Sequence, residues 1–357
     1  MQRVIISQDL QAELTAAIND CEHDRIFVLT DTTTQELCWP VVKDYPCLSE
    51  AKTITIGATD VAKTLESLAH VWEGLQHGGA TRHSLLINLG GGMITDLGGF
   101  AASTFKRGIN FINIPTTLLS MVDASVGGKT GINFGGLKNE IGVFNDSRYV
   151  FLCTEFLKTL DDANLRSGYA EMLKHGLISN PQHWQEVVSF DIANVLQSSG
   201  ATPSPLEQLG AMVATSVAVK EKVVTEDPHE HGIRKALNLG HTVGHAFESW
   251  AMRKNQPILH GYAVAFGIIP ELYLAVTKTG FPVDVMRQAV NYIKEVYGTL
   301  PITCDDYPEL IELMTHDKKN TAGIINFTLL GGIGDIRINQ TATTKEIEEA
   351  LDFFREG

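Results

Sequence analysis

The chain has 357 residues, 44% of them apolar and 20% charged, enough to bury a sizeable core and long enough to expect two domains. A formal charge of -14 and a pI near 5.3 exclude a broad basic nucleic-acid face, so no nucleic-acid partner is expected and an anionic ligand would meet a local pocket. Five scattered cysteines without a C-x-x-C pair exclude a disulfide framework or thiolate zinc site. No apolar run reaches bilayer length and the N-terminus lacks a signal pattern, so the expectation is a soluble cytoplasmic protein with reduced thiols.

In chain order, the β-rich runs 25–30, 52–57, 83–92 and 109–115 read as buried strands, and 59–77 carries helical spacing. Such alternation predicts a Rossmann-like parallel α/β sheet covered on both faces. From about 156 the period shifts towards 3.6: 155–179, 206–224, 263–280 and 344–356 read as helices punctuated by Pro181, Pro228, Pro257 and Pro282, with one hairpin over 323–339. The expected organisation is therefore an α/β domain over 1–155 and a mainly helical domain over 156–357. With no low-complexity linker, the domains should abut, and a ligand is expected in the cleft between them.

Chemistry-bearing motifs follow the same order. Asp31, at the end of the first long strand, suits a ribose hydroxyl or a turn cap. "LLINLGGGMITDLGGF" places glycines where a strand turns into a helix, as a diphosphate cradle requires, although it fails the G-x-G-x-x-G template at Thr95. "VDASVGGKTGINFGGLKNEIG" resembles a P-loop, but Asp123 stands where that loop needs glycine. What remains is flexible backbone carrying Lys129, Lys138, Asn133 and Asn139, suited to a phosphate or carboxylate.

His241 and His245 stand four apart in "NLGHTVGHAFE" and share a helix face, opposite Val243, Phe247 and Trp250. With His260 they make three imidazoles within twenty residues, a pattern suited to zinc or a similar divalent ion. The third ligand is open at this level: Glu248 shares the helix face, whereas Glu171 lies far off in "RSGYAEMLKHG" with Lys174 and His175 on its own face. Basic pairs (Lys106 with Arg107, Lys220 with Lys222, Arg234 with Lys235, Lys318 with Lys319) recur beside these motifs and point to a small, highly anionic substrate.

The succession "GGGMITDLGGF", "FKRGINFINIPTTLLSMVDASVGGKTGIN", "LKNEIG", "SGYAEMLKHG", "EHGIRKALNLGHTVGHAFE", "LHGYAVAFG" and "HDKKN" resembles the 3-dehydroquinate synthase family, among the sugar phosphate cyclases. Glycerol-1-phosphate and iron-type alcohol dehydrogenases share the framework more distantly. The resemblance implies a homodimeric lyase that uses NAD and a divalent metal, zinc or cobalt, to convert a seven-carbon sugar phosphate to 3-dehydroquinate and phosphate. It implies Glu171, His241 and His260 as metal ligands, with His245 left for proton transfer near the phosphate. Asp123, Lys174, Lys220 and Glu230 would surround the substrate hydroxyls, Arg234 and Asn238 its carboxylate. Lys129, Asn139 and Lys319 would hold its phosphate, and Arg107 would reach it from the partner subunit. For NAD the implied residues are Asp31, Asp60 and Lys63 near the adenosine and Gly91 and Gly92 at the diphosphate. Asp96, Thr116, Thr117, Lys129, Lys138 and Thr159 complete that set. Two departures stand out: Tyr262 occupies the position after "LHG" where glutamate is expected, and "LTDTTT" lacks the Asn-Val that should follow the aspartate.

Overall fold

The computed structural model describes residues 2–196, 203–315 and 324–356. It divides into two compact units, residues 1–161 and 162–357; the expected boundary at 155/156 falls six residues earlier, inside a 3-10 turn (Thr154–Thr159) that belongs to the first unit.

The first unit contains β1 (Arg3–Ile6), α1 (Leu10–Asp20), β2 (Ile26–Asp31), α2 (Thr32–Leu37), α3 (Trp39–Val42), β3 (Lys52–Ile56), α4 (Leu65–His77), β4 (Leu85–Gly90), α5 (Gly92–Thr104) and β5 (Asn110–Pro115). A hairpin follows, β6 (Lys129–Phe134) and β7 (Leu137–Phe144), and then β8 (Tyr149–Leu152). Six strands form one parallel sheet in the order β1-β8-β5-β4-β2-β3. Its inner strands are apolar on both faces because helices cover both: all six residues of β4 and all four of β8 are buried. The four strand readings match β2, β3, β4 and β5, and α4 begins later than 59 because a 3-10 turn at Asp60–Ala62 precedes it.

The β6–β7 hairpin lies in the segment read above as flexible backbone. Gly135 and Gly136 join its strands with φ of 59° and 82°, the double left-handed turn that suits the twist of a tight hairpin. Every residue of β7 is exposed, so no core-facing apolar run marked it in the sequence.

The second unit is helical: α6 (Asp162–Ser179), α7 (Pro181–Ser189), α8 (Pro205–Glu226), α9 (His241–Arg253), α10 (His260–Thr279), α11 (Val283–Tyr297) and α12 (Tyr307–Thr315). The antiparallel pair β9 (Asn326–Gly332) and β10 (Asp335–Thr341) precedes α13 (Thr344–Glu356). A capping box between Ser204 and Glu207 starts α8, and Pro181 stands in the first turn of α7 beneath the Asn180 cap. The apolar α10 is the central pillar, packed on α6, α9, α11, α13 and β9. Among the described residues no helix is long and apolar enough to cross a membrane, and all five cysteines are free.

Candidate active site: a buried histidine–glutamate centre and a glycine cradle

In the second unit three helices converge on one point. Glu171, in the middle of α6, is fully buried, and neither of its carboxylate oxygens makes a hydrogen bond of ordinary geometry. His241, the first residue of α9, places Nε2 3.4 Å from Glu171 Oε1, and His260, the first residue of α10, places Nε2 3.6 Å from the same oxygen. Ligand atoms around a tetrahedral ion with bonds of about 2.0–2.1 Å stand about 3.3 Å apart. The two Glu171–histidine spacings are compatible with such an ion.

The remaining ring nitrogens are engaged so that Nε2 faces inward. His241 Nδ1 lies 3.1 Å from Leu239 O, a carbonyl that can only accept, which puts the proton on Nδ1 and leaves the Nε2 lone pair available. His260 Nδ1 lies 3.3 Å from Glu248 Oε2, the carboxylate–imidazole pairing that fixes ring orientation at metal sites. Glu248 thus pairs with His260 Nδ1, whereas Glu171 Oε1 faces the Nε2 atoms of His241 and His260. The His245 ring nitrogen falls within 4.8 Å of those of His241 and His260, so this imidazole belongs to the cluster.

Electrostatics distinguish the two imidazoles. Burial pushes His241 down to about 4. Burial also pulls on His260, but contacts with Glu171 and Glu248 outweigh it and raise that ring to about 10. Glu171 resists its own burial because Lys174, an ion-pair partner one turn along α6, and His241 hold its carboxyl well below the usual range. Lys174 is buried with it.

A second group of candidate residues lies after α8. Asp227 Oδ1 accepts from His231 N at 3.0 Å, and Oδ2 accepts from Gly232 N at 2.6 Å and Arg234 N at 3.1 Å, winding 227–234 around one carboxylate. That loop buries Arg234, whose guanidinium donates to Pro228 O at 2.5 Å, and lets Asn238 Nδ2 donate to Glu230 Oε1 at 2.9 Å. Lys220, on α8, is buried as well. Lys319 lies outside the described residues.

The first unit presents the glycine cradle. Gly91 is the N-cap of α5 and has no side chain to close that helix end, which leaves the first-turn N–H groups to an external anion, as a diphosphate requires. Thr116 follows β5, its N–H donating to Gly90 O at 3.0 Å, and Thr117 is tied to Ser120 through Oγ1 at 2.9 Å. Both stand at the carboxyl ends of the strands, where open α/β sheets bind ligands.

Asp60, Lys63, Asp96, Lys138 and Asn139 come together. Lys63 Nζ lies 2.6 Å from Asp96 Oδ2 and donates to Asn139 Oδ1 at 2.5 Å, and Lys138 Nζ lies 3.3 Å from Asp60 Oδ2. Asp31 Oδ1 accepts from Thr34 N at 2.9 Å in the capping box of α2, so one oxygen performs the capping role that the sequence allowed. Thr159 Oγ1 donates to Phe156 O at 2.7 Å. Asp123 lies in a five-residue π turn (Ser120–Ala124), Lys129 opens β6, and Arg107 stands exposed at φ 72° in the turn after α5.

Sequence reasoning overlooked one buried acid, Glu271. Its signal was a single carboxylate inside the apolar run of α10, "AVAFGIIPELYLAV", where burial demands a partner.

A glycine-cradled parallel α/β unit and a helical unit in which Glu171, His241 and His260 converge are the parts expected of a sugar phosphate cyclase. The 3-dehydroquinate synthase N-terminal model matches residues 53–167 and the C-terminal model residues 168–320. A 3-dehydroquinate synthase of Parabacteroides distasonis is 55% identical over 356 residues, covering 100% of this chain and 98% of the relative. One from Pyrococcus furiosus is 37% identical over 328 residues, 92% of each chain. The chain belongs to the 3-dehydroquinate synthase family. Among solved structures, the 2-epi-5-epi-valiolone synthase of Streptomyces hygroscopicus, with NAD+ and Zn2+ bound, superposes with a TM-score of 0.84 at 25% identity, covering 100% of this chain and 97% of that one. A 2-deoxy-scyllo-inosose synthase shares the fold with a TM-score of 0.82 at 22% identity, covering 100% and 96%.

Proposed function

We propose that this chain catalyses the 3-dehydroquinate synthase reaction, releasing phosphate from 3-deoxy-D-arabino-heptulosonate 7-phosphate and closing the carbocycle of 3-dehydroquinate. The observation that carries this reading is the convergence of Glu171, His241 and His260 beside buried Lys174, in a chain 55% identical to a relative of that name. Glu171, His241 and His260 would hold the divalent ion, and Gly91, Gly92, Thr116, Thr117, Thr159 and the Lys63–Asp96 cluster would line the NAD site. When bound, NAD would supply transient oxidation and return of hydride at one substrate carbon, and a zinc- or cobalt-like ion would polarise the hydroxyl on that carbon.

The chain's own groups supply positioning and proton handling. Arg234 and Asn238 hold the carboxylate, the first as a planar fork and the second as an amide oriented by Glu230. Lys129, Asn139 and Lys319 hold the phosphate, with Arg107 reaching it from a partner subunit in a homodimer. Lys174 and Lys220, with buried ammonium groups, stabilise the negative charge that grows as phosphate departs. His245, Asp123 and Glu230 accept or return protons at the substrate hydroxyls. A cytoplasmic location accords with five free thiols.

Incubation with NAD+, Zn2+ or Co2+ and the heptulosonate phosphate tests the proposal: phosphate release without net NADH is expected, and absence of phosphate refutes it. A sister-cyclase reading is the alternative, since such enzymes share the fold. Sedoheptulose 7-phosphate and glucose 6-phosphate have no carboxylate for Arg234 and Asn238, so turnover of either one in preference to the heptulosonate would favour that reading.

A further inference from the structure

An α-helix leaves its first backbone N–H groups without intrahelical partners, and a capping box closes two of them with side chains at the N-cap and the third helical position. In α9 those positions are Gly240 and Val243, neither of which has an acceptor. Nor is there room for one at the cap. Gly240 is held at φ 79°, and a Cβ there would lie 2.6 Å from Ile268 and 2.9 Å from Val264 O.

One side chain from α10 performs both halves of the box. Glu271 Oε2 accepts from Gly240 N at 2.6 Å and Oε1 accepts from Val243 N at 3.1 Å. The two donors bracket His241, and Glu271 is fully buried.

The surrounding contact explains why such a tie is needed. Helices α9 and α10 cross through glycines: a Cβ on Gly267 would come within 2.1 Å of Gly240 O, and one on Gly244 within 2.8 Å of Ala263 O. A smooth contact of this kind permits close approach but offers few interdigitating side chains to fix how one helix slides or rotates on the other. Two directional hydrogen bonds from one carboxylate fix both. His260 opens the helix that carries Glu271, and His241 opens the helix that Glu271 caps, so this side chain couples the frames of two imidazoles.

We propose that Glu271 is a positioning residue for the metal centre, setting where His241 Nε2 points relative to Glu171 Oε1 without touching ion or substrate. This rests on the metal reading above. Glu271→Gln keeps the volume and one acceptor but turns an NH2 towards a backbone N–H. In Co2+ titrations followed by the visible absorption of the bound ion, Glu271→Gln is expected to bind about 10- to 100-fold more weakly than wild type. Its band position or intensity should change as well.

Leu209→Ala, a cavity in α8 of the same unit, lowers the melting temperature and is expected to leave the Co2+ spectrum and affinity unchanged. If Glu271→Gln matches wild type in both readouts, or if Leu209→Ala alters them equally, the positioning role is refuted. A wild-type protein that binds no Co2+ refutes the metal reading itself. Should Glu271→Gln yield no folded protein, Glu271→Asp carries the same test, since it keeps the charge but is too short to hold both N–H groups.

Discussion

Metal binding at the proposed centre should displace a proton, because His260 Nε2 cannot serve both. With that ring raised to about 10 by Glu171 and Glu248, it is charged at neutral pH in the metal-free protein. His241, pushed down to about 4, is already neutral and contributes no proton. The sign follows: a raised pKa keeps the competing proton in place below about pH 10, so apparent metal affinity rises with pH. Each pH unit is worth about tenfold, and at pH 7 the penalty relative to the neutral ring is about a thousandfold. Calorimetric Zn2+ titrations between about pH 6 and 9, in buffers of different ionisation enthalpy, count the protons released; about one per ion is expected. Glu248→Gln removes a group that raises the ring, so its release should fade at the upper end of that range. A flat affinity profile with no proton release would refute the assignment of His260 Nε2 as a ligand.

Other perturbations bear on other parts of the site. His241→Ala should leave purified protein without a stoichiometric divalent ion, and elemental analysis showing a full complement would overturn the ligand set. Arg107→Ala should raise KM for the sugar phosphate about tenfold or more while sparing NAD binding, by loss of a phosphate contact. If that arginine acts from the partner subunit, mixing Arg107→Ala with Lys174→Ala protein in equal amounts should give about a quarter of wild-type activity at substrate concentrations well below KM, where both parents are weak, since half the dimers are mixed and each has one intact site. Gly98→Ala places a Cβ 2.0 Å from Asn88 Oδ1 and 2.8 Å from Leu29. This overpacking should cost about 1–3 kcal/mol and lower the melting temperature by several degrees.

Legibility in the sequence followed burial pattern. The parallel strands could be read because both faces are covered and their runs are almost wholly apolar. The hairpin escaped because β7 faces no core, although "FGGL" between β-capable runs was a hairpin signal. The His241/His245 pair was visible because four residues bring side chains to one helix face. The site of Glu171 was not, since its facing depends on how α6 packs against α9 and α10, and only the family resemblance singled it out. The same holds for Glu248, whose shared helix face with His241 and His245 was visible but whose pairing with His260 Nδ1 was not. Glu271 was readable as an anomaly, but its role needed the geometry of a neighbouring helix that cannot cap itself.

The centre's charge accounts for how so many ionisable groups tolerate burial. Burying an unpaired carboxylate or ammonium costs far more than burying a matched set. In the metal-free protein Glu171 and Glu248 are balanced by Lys174 and charged His260, leaving no net charge among the four. A divalent ion bound in place of the His260 proton at the proposed centre would add one positive charge to the set. This neutral set would thus become cationic when loaded, which would favour a substrate bearing both carboxylate and phosphate. In a chain of net charge -14, that local positive charge would let an acidic protein attract a highly anionic sugar.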